Sequence, residues 1–266
     1  MHAKKKVLVG LASLTLFDIS AATAADFPVK APLRPPAPIY DWSGFYIGGH
    51  AGYRWADASF SSPGYTVQSF PGFGTGDVPA SNARFRPNSG LVGVQAGVNF
   101  MISPSVLAGV EGDWSWASAK RSIASTVAGE LTDGLGFISQ SAPELELTWQ
   151  ATIRGRLGVV NGPWLFYGTA GVAFIHARWS ETAALIFEDL VPPRAATWTD
   201  RKTLAGFVGG VGIEYMYAAN WIGRIEYLYE NFGDFDVRHS IVLQTGKLDI
   251  GDVHKLRVAI SYKFSP

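Results

Sequence analysis

Residues 42–50 read WSGFYIGGH, directly after a proline-rich stretch, and the segment runs on as AGYRWADASF. Its glycines, Gly44, Gly48, Gly49 and Gly52, invite a nucleotide-binding reading. A dinucleotide fingerprint needs a helix after the glycines so that the helix N-terminus can meet the pyrophosphate. No helical apolar period follows here. Phe45, Ile47, Ala51, Tyr53 and Trp55 share one parity, and Tyr46, Gly48, His50, Gly52 and Arg54 share the other. That is a strand period.

Working outward, the same alternation returns in eight runs, over about 43–59, 90–102, 106–118, 146–160, 164–178, 201–217, 221–232 and 252–264. Ser103-Pro104-Ser105, Asn161-Gly162-Pro163 and Ala218-Ala219-Asn220 join three pairs of runs as tight turns, while the remaining gaps are long. Alternating long and short connections place all turns at one end of an up-and-down meander and all loops at the other, the pattern of outer-membrane barrels. An apolar face (Val92, Val94, Val98, Phe100; Leu147, Trp149, Ile153, Leu157) opposes a polar, glycine-rich one in each run.

Periodicity alone does not tell a lipocalin-like barrel from a membrane barrel, because the two differ only in which face points inward. Three features favour the membrane. Trp55, Trp116, Trp149, Trp164, Trp221 and Tyr262 lie near run ends, where an aromatic girdle belongs. The apolar face carries almost no charge over the length a tilted strand needs to cross a bilayer. Small residues crowd the polar face, as a narrow eight-strand lumen requires. The fold expected is all-β, an eight-stranded antiparallel up-and-down transmembrane β-barrel over residues 42–264. Trp42 and Phe45 then lie at the periplasmic interface, and Gly48 and Gly49 relieve crowding where the first strand meets the last.

The ends fit export. MHAKKK is a basic n-region, VLVGLASLTLF an apolar h-region too short to span as a helix, and Ala22-Thr23-Ala24 a cleavage site, so residues 1–24 are expected to be a signal peptide. Residues 25–41, with FPVKAPLRPPAPIY, form an extended proline-rich periplasmic leader. The chain has no cysteine, which excludes disulfides and thiol chemistry, and a formal net charge of zero, which gives no general attraction to nucleic acid.

AADFPVKAPLRPPAP, DWSGFYIGGHAGYRW and the ending VHKLRVAISYKF resemble the small outer-membrane β-barrel proteins of alphaproteobacteria, known as porin-family or OmpA-like barrels and including major surface antigens. The resemblance covers essentially the whole chain. It implies residence in the outer membrane among lipid and lipopolysaccharide, and insertion by the barrel-assembly machinery. That machinery reads a C-terminal strand ending in an aromatic, here Tyr262 and Phe264, although Ser265-Pro266 follow. Because the last run closes the sequence, no peptidoglycan-binding domain is expected.

Glu111, Asp113, Arg154, Arg156, Glu214, Arg224, Glu226 and Arg257 fall on the inner face by parity. Paired carboxylates can do acid–base work. A charge-paired plug is the simpler reading, since buried charges must pair and both signs are present in similar number. No zinc spacing and no nucleophile motif occurs, so no metal, cofactor or enzymatic activity is expected. Three functions are weighed: a structural barrel presenting surface loops, a small diffusion porin, and, because the resemblance implies that some members of the family bind haem, a haem-binding receptor using His176 and His239 near or in the outer loops. The first loop, SPGYTVQSFPGFGTGD, is expected to be a mobile surface segment. Ligand and oligomeric state, including self-association, are left open.

Overall fold

A computed structural model describes residues 40–68, 74–187, 190–238 and 245–264 of the 266-residue chain. The signal peptide, most of the leader, His239 and the terminal Ser265-Pro266 lie outside the described residues. The strands are β1 (Gly44–Ser62), β2 (Tyr65–Gln68), β3 (Thr75–Val78), β4 (Ser81–Phe85), β5 (Ser89–Ser103), β6 (Val106–Ser122), β7 (Ser125–Glu130), β8 (Gly136–Asn161), β9 (Trp164–Phe187), β10 (Leu190–Ala218), β11 (Trp221–Arg238) and β12 (Thr245–Lys263).

Eight of these, in the order β12-β11-β10-β9-β8-β6-β5-β1, form an antiparallel meander. β12 pairs back onto β1, from Tyr46↔Lys263 to Ser61↔Lys247, so the sheet closes on itself. Closure matters in hydrocarbon, where an open edge would leave backbone N–H and C=O groups without partners. The turns are tighter than the sequence suggested, with only Pro104-Ser105, Gly162-Pro163 and Ala219-Asn220 between strands. Gly162 takes φ +57°, a left-handed conformation that a side chain disfavours.

The sequence runs end too early. β8, β9 and β10 extend through much of what looked like long loops, over 136–145, 179–187 and 190–200. The first loop also contains a two-stranded sheet, β2 with β3, and Val67 and Val78 pack from it against Leu131, Phe137, Leu185 and Phe187. Both described ends of the first loop are thus paired and packed, and its middle, residues 69–73, lies outside the described residues. The overlooked segments are rich in threonine, serine and alanine, and their outward faces keep only scattered apolar residues such as Ile138 and Trp198, so the alternation weakens there.

The apolar face points outward through the membrane-crossing part. Val92, Ile153, Phe207, Val211 and Ile225 each expose more than half of their surface. From Trp221 to Tyr229 on β11 is about the 9–11 residues that a tilted strand needs. Rings gather at both rims: Trp164, Tyr215, Trp221, Tyr262, Phe264 and Phe45 at the turn end, and Trp55, Trp114, Trp116 and Trp149 at the other.

Three side chains depart from the parity reading. Leu147, expected on the lipid face, is wholly buried inside. A register shift between Leu147 and Gln150 places one extra β8 residue opposite β9, so Leu147 and Gln150 both point inward. Trp42 lies at the turn end as expected but points into the barrel, fully buried against Leu107, Leu165, Tyr167, Met216 and Ile222, with its indole N–H donating to the Gly162 carbonyl at 3.2 Å. Gly48 is crowded, since a Cβ there would stand 2.4 Å from the Ile260 carbonyl oxygen, whereas one at Gly49 would come no closer than 3.7 Å to anything. Gly49 points outward and relieves nothing.

Candidate functional site: a filled lumen

The centre of the barrel is built from cross-strand neighbours. Register sets Glu111 opposite Arg154 on β6 and β8, Glu214 opposite Arg224 on β10 and β11, and Glu226 opposite Arg257 on β11 and β12. All eight charged residues named from the sequence are buried, and they make one network. Arg154 reaches Asp113 and Glu226, each at 3.0 Å, and pairs with Glu111. Arg224 lies 2.6 Å from both Glu111 and Glu214, and Arg156 lies 2.8 Å from Glu214. Arg257 contacts Glu226 at 2.6 Å and Asp113 at 3.2 Å. Four guanidiniums thus meet four carboxylates, and the cluster is neutral as a whole. Guanidinium forks suit such bidentate, shared contacts better than an ammonium would.

Uncharged neighbours complete the bonding. Tyr46 donates to Glu111 at 2.6 Å and accepts from Arg156 at 2.8 Å. Tyr167 donates to Glu226 at 2.7 Å, and the Arg156 guanidinium lies 4.2 Å from its ring centroid. Tyr167 lies against Gly212, where a Cβ would meet its hydroxyl at 2.3 Å. The sequence reading missed Tyr46 and Tyr167, although Tyr46 shares the parity of His50 and Arg54.

Above this layer sits a second polar step that the sequence reading left out of the network. Lys255 contacts Glu230 at 2.5 Å, and Gln150 donates to the other oxygen of Glu230 at 2.7 Å. Arg54 donates to Gln150 and Ser89 at 3.3 and 3.2 Å, and the His50 Nε2 lies 2.9 Å from the Ser115 hydroxyl. Parity was the available signal for all of them.

The lumen then turns apolar. Leu145, Leu147, Ile175, Leu248 and Ile250 are buried to zero exposure. Trp179 packs among them between Phe60 at 4.7 Å and Phe85 at 5.9 Å, centroid to centroid. From the turn end upward, the interior is therefore filled three times over: the Trp42 cluster, the charge network and the Trp179 cluster.

The remaining sequence-named residues lie on the outer surface. Trp55, Trp116, Trp164, Trp221 and Tyr262 are exposed, Trp149 is half-buried, and Phe264 stacks on Phe45 at 5.7 Å across the closing seam. His176 is on the outer face of β9, stacked on Trp149, and approaches Thr203 at 3.1 Å. No group of three or more metal-ligating side chains gathers among the described residues.

The family model for the outer membrane protein beta-barrel domain matches residues 9–264. The chain belongs to that family. Among relatives of the outer-membrane β-barrel family, the 31 kDa outer-membrane immunogenic protein of Brucella melitensis is 32% identical over 263 residues, 96% of this chain and 98% of its own length. The 25 kDa outer-membrane immunogenic protein of Brucella abortus is 27% identical, covering 99% of this chain and all of its own. Of solved barrels, the outer membrane protein OprG from Pseudomonas aeruginosa aligns over 84% of this chain and 97% of its own, with TM-score 0.44 and 14% identity. Bacterial outer-membrane barrels keep short turns on the periplasmic side and long loops outside the cell.

Proposed function

We propose that the protein is a non-enzymatic, sealed outer-membrane barrel that contributes to envelope structure and holds a folded surface above the bilayer. Its first 24 residues serve as the export signal and residues 25–41 as a periplasmic spacer. The observation that carries this reading is the filling of the lumen at three heights, with the eight-residue charge network between two apolar plugs. A diffusion pore needs a continuous wet path, and none of the three layers provides one. The carboxylates, including the Glu111 and Asp113 pair, are each engaged by arginines within the network. Names of relatives as immunogenic outer-membrane proteins accord with an exposed upper surface.

Planar-bilayer recording of the purified, refolded protein tests this. The expected result is no stable single-channel step above the bare-bilayer baseline, with the protein shown to be folded by faster migration of the unboiled band on a gel. Stable, reproducible steps from such a preparation would overturn the sealed barrel in favour of a porin.

A further inference from the structure

Outside the lumen, a row of charged side chains crosses the outer face of four strands. Register aligns Lys120 with Glu146, Glu146 with Arg178, and Arg178 with Arg201, on β6, β8, β9 and β10. Buried Trp179 fixes the orientation: its neighbour Arg178 points outward, and Arg201 opposite it shares that face. One outward step below the row, Trp114 stacks on Trp149 at 4.5 Å and Trp149 on His176 at 5.5 Å, nearly parallel. One step above, the hydroxyls of Ser180 and Thr199 pair at 3.2 Å.

The row's height is therefore set. Aromatic rings of this kind mark the membrane–water boundary. Arg178 is two residues beyond His176, about 6–7 Å along the strand. The headgroup zone outside each face of the hydrocarbon core is about 5–7 Å deep. Arg178 and Arg201 thus lie where lipid phosphates lie.

Their charges are only partly balanced by the protein, through the long Glu146–Arg178 contact. Like charges directly opposite on paired strands oppose sheet formation. Glu144 is held by Lys120 at 2.9 Å, and Glu146 meets Arg178 only at 3.9 Å. Arg201 is exposed and has no carboxylate partner among the described residues. Two guanidiniums facing one another across a ladder make a fork for one phosphate, which both can engage bidentately.

We propose that Arg178 and Arg201 form a binding site for the phosphate of an outer-leaflet lipid, whose apolar part lies against the Trp149–His176 stack. The lipid is a structural ligand of this wall, and the site is independent of whether the lumen conducts.

The test is titration of the detergent-solubilised, folded barrel with bisphosphorylated lipid A, and with the same lipid after phosphatase treatment. Wild type should prefer the phosphorylated form. The double variant Arg178→Gln/Arg201→Gln should bind it about tenfold more weakly or worse, with that preference lost. Arg86→Gln/Lys247→Gln, which removes the same charge from other exposed positions, should bind as wild type does. Faster migration of each unboiled band checks that the variants fold. Equal affinity for both lipid forms, or unchanged binding by the Arg178/Arg201 variant, would overturn the site. So would binding of inorganic phosphate or a sulfated sugar with the same residue dependence but no lipid binding, since the ligand would then be a soluble anion.

Discussion

Arg154→Ala is expected to destabilise the folded barrel by about 3–5 kcal/mol, the cost of breaking a buried ion pair from one side. The measurement is the urea midpoint at which the fast-migrating unboiled band is lost. Arg154 is fully buried, and its guanidinium touches Glu111, Asp113 and Glu226 and donates to Thr152 at 3.0 Å. Deleting it leaves four carboxylates facing three arginines in a site with little water to screen them. The penalty comes from the surplus charge more than from the lost contacts, which makes the prediction specific. Arg154→Met combined with Asp113→Asn restores neutrality and fills the volume, and it should recover most of the lost stability. If the double variant is as unstable as the single one, or if Arg154→Ala lowers the unfolding free energy by less than about 0.5 kcal/mol, the cluster is not an electrostatic unit.

Gly48→Val should abolish most of the fast-migrating band, through a cost of about 3 kcal/mol or more, at the upper end of what overpacking produces. Gly48 lies opposite Ser261 on the seam between the first and last strands. A Cβ there would stand 2.4 Å from the Ile260 carbonyl oxygen, which is backbone and cannot rotate away. The only escape is to part β1 from β12, and in lipid that exposes a row of unpaired peptide groups. Gly49→Ala, one residue along, faces outward with nothing nearer than 3.7 Å and should fold normally. Folding of Gly48→Val at wild-type yield would show that the seam has slack.

These two variants also mark what could be read from the chain alone. Alternation assigned Arg154 and its seven partners to the inner face and gave strand number and topology, because one face in lipid and one in a packed lumen leave an unmixed period of two. It did not give the partners. Which arginine meets which carboxylate depends on register between strands, such as Glu226 opposite Arg257, and register follows from turns and bulges as well as from pattern. One inserted residue near Trp149 was enough to put Leu147 on the wrong face. The upper segments of β8, β9 and β10 escaped notice for another reason. Their outward residues, Thr182 paired with Thr197 for example, no longer meet lipid, so the contrast between faces fades although the strands continue. Trp42 was misjudged because tryptophan suits both an interface and a plug, and only the Leu107–Met216 hollow decides between them.

The continuation of the same strands past the aromatic rim has a consequence for how this sequence can drift. Along β9, Phe166 and Val172 face outward in the membrane-crossing part, where a charge is costly, while the hydroxyls of Ser180 and Thr182 lie a few steps on, beyond the aromatic rim. A charge at either hydroxyl position would be solvated at little cost. Divergence therefore has a ready outlet that leaves the wall and its register untouched: outward-facing hydroxyl positions can change identity while inward partners such as Trp179 stay fixed. Comparing isolates of one species should reveal substitutions at every second residue from Ser180 onward, not clustered in the hairpin tips alone.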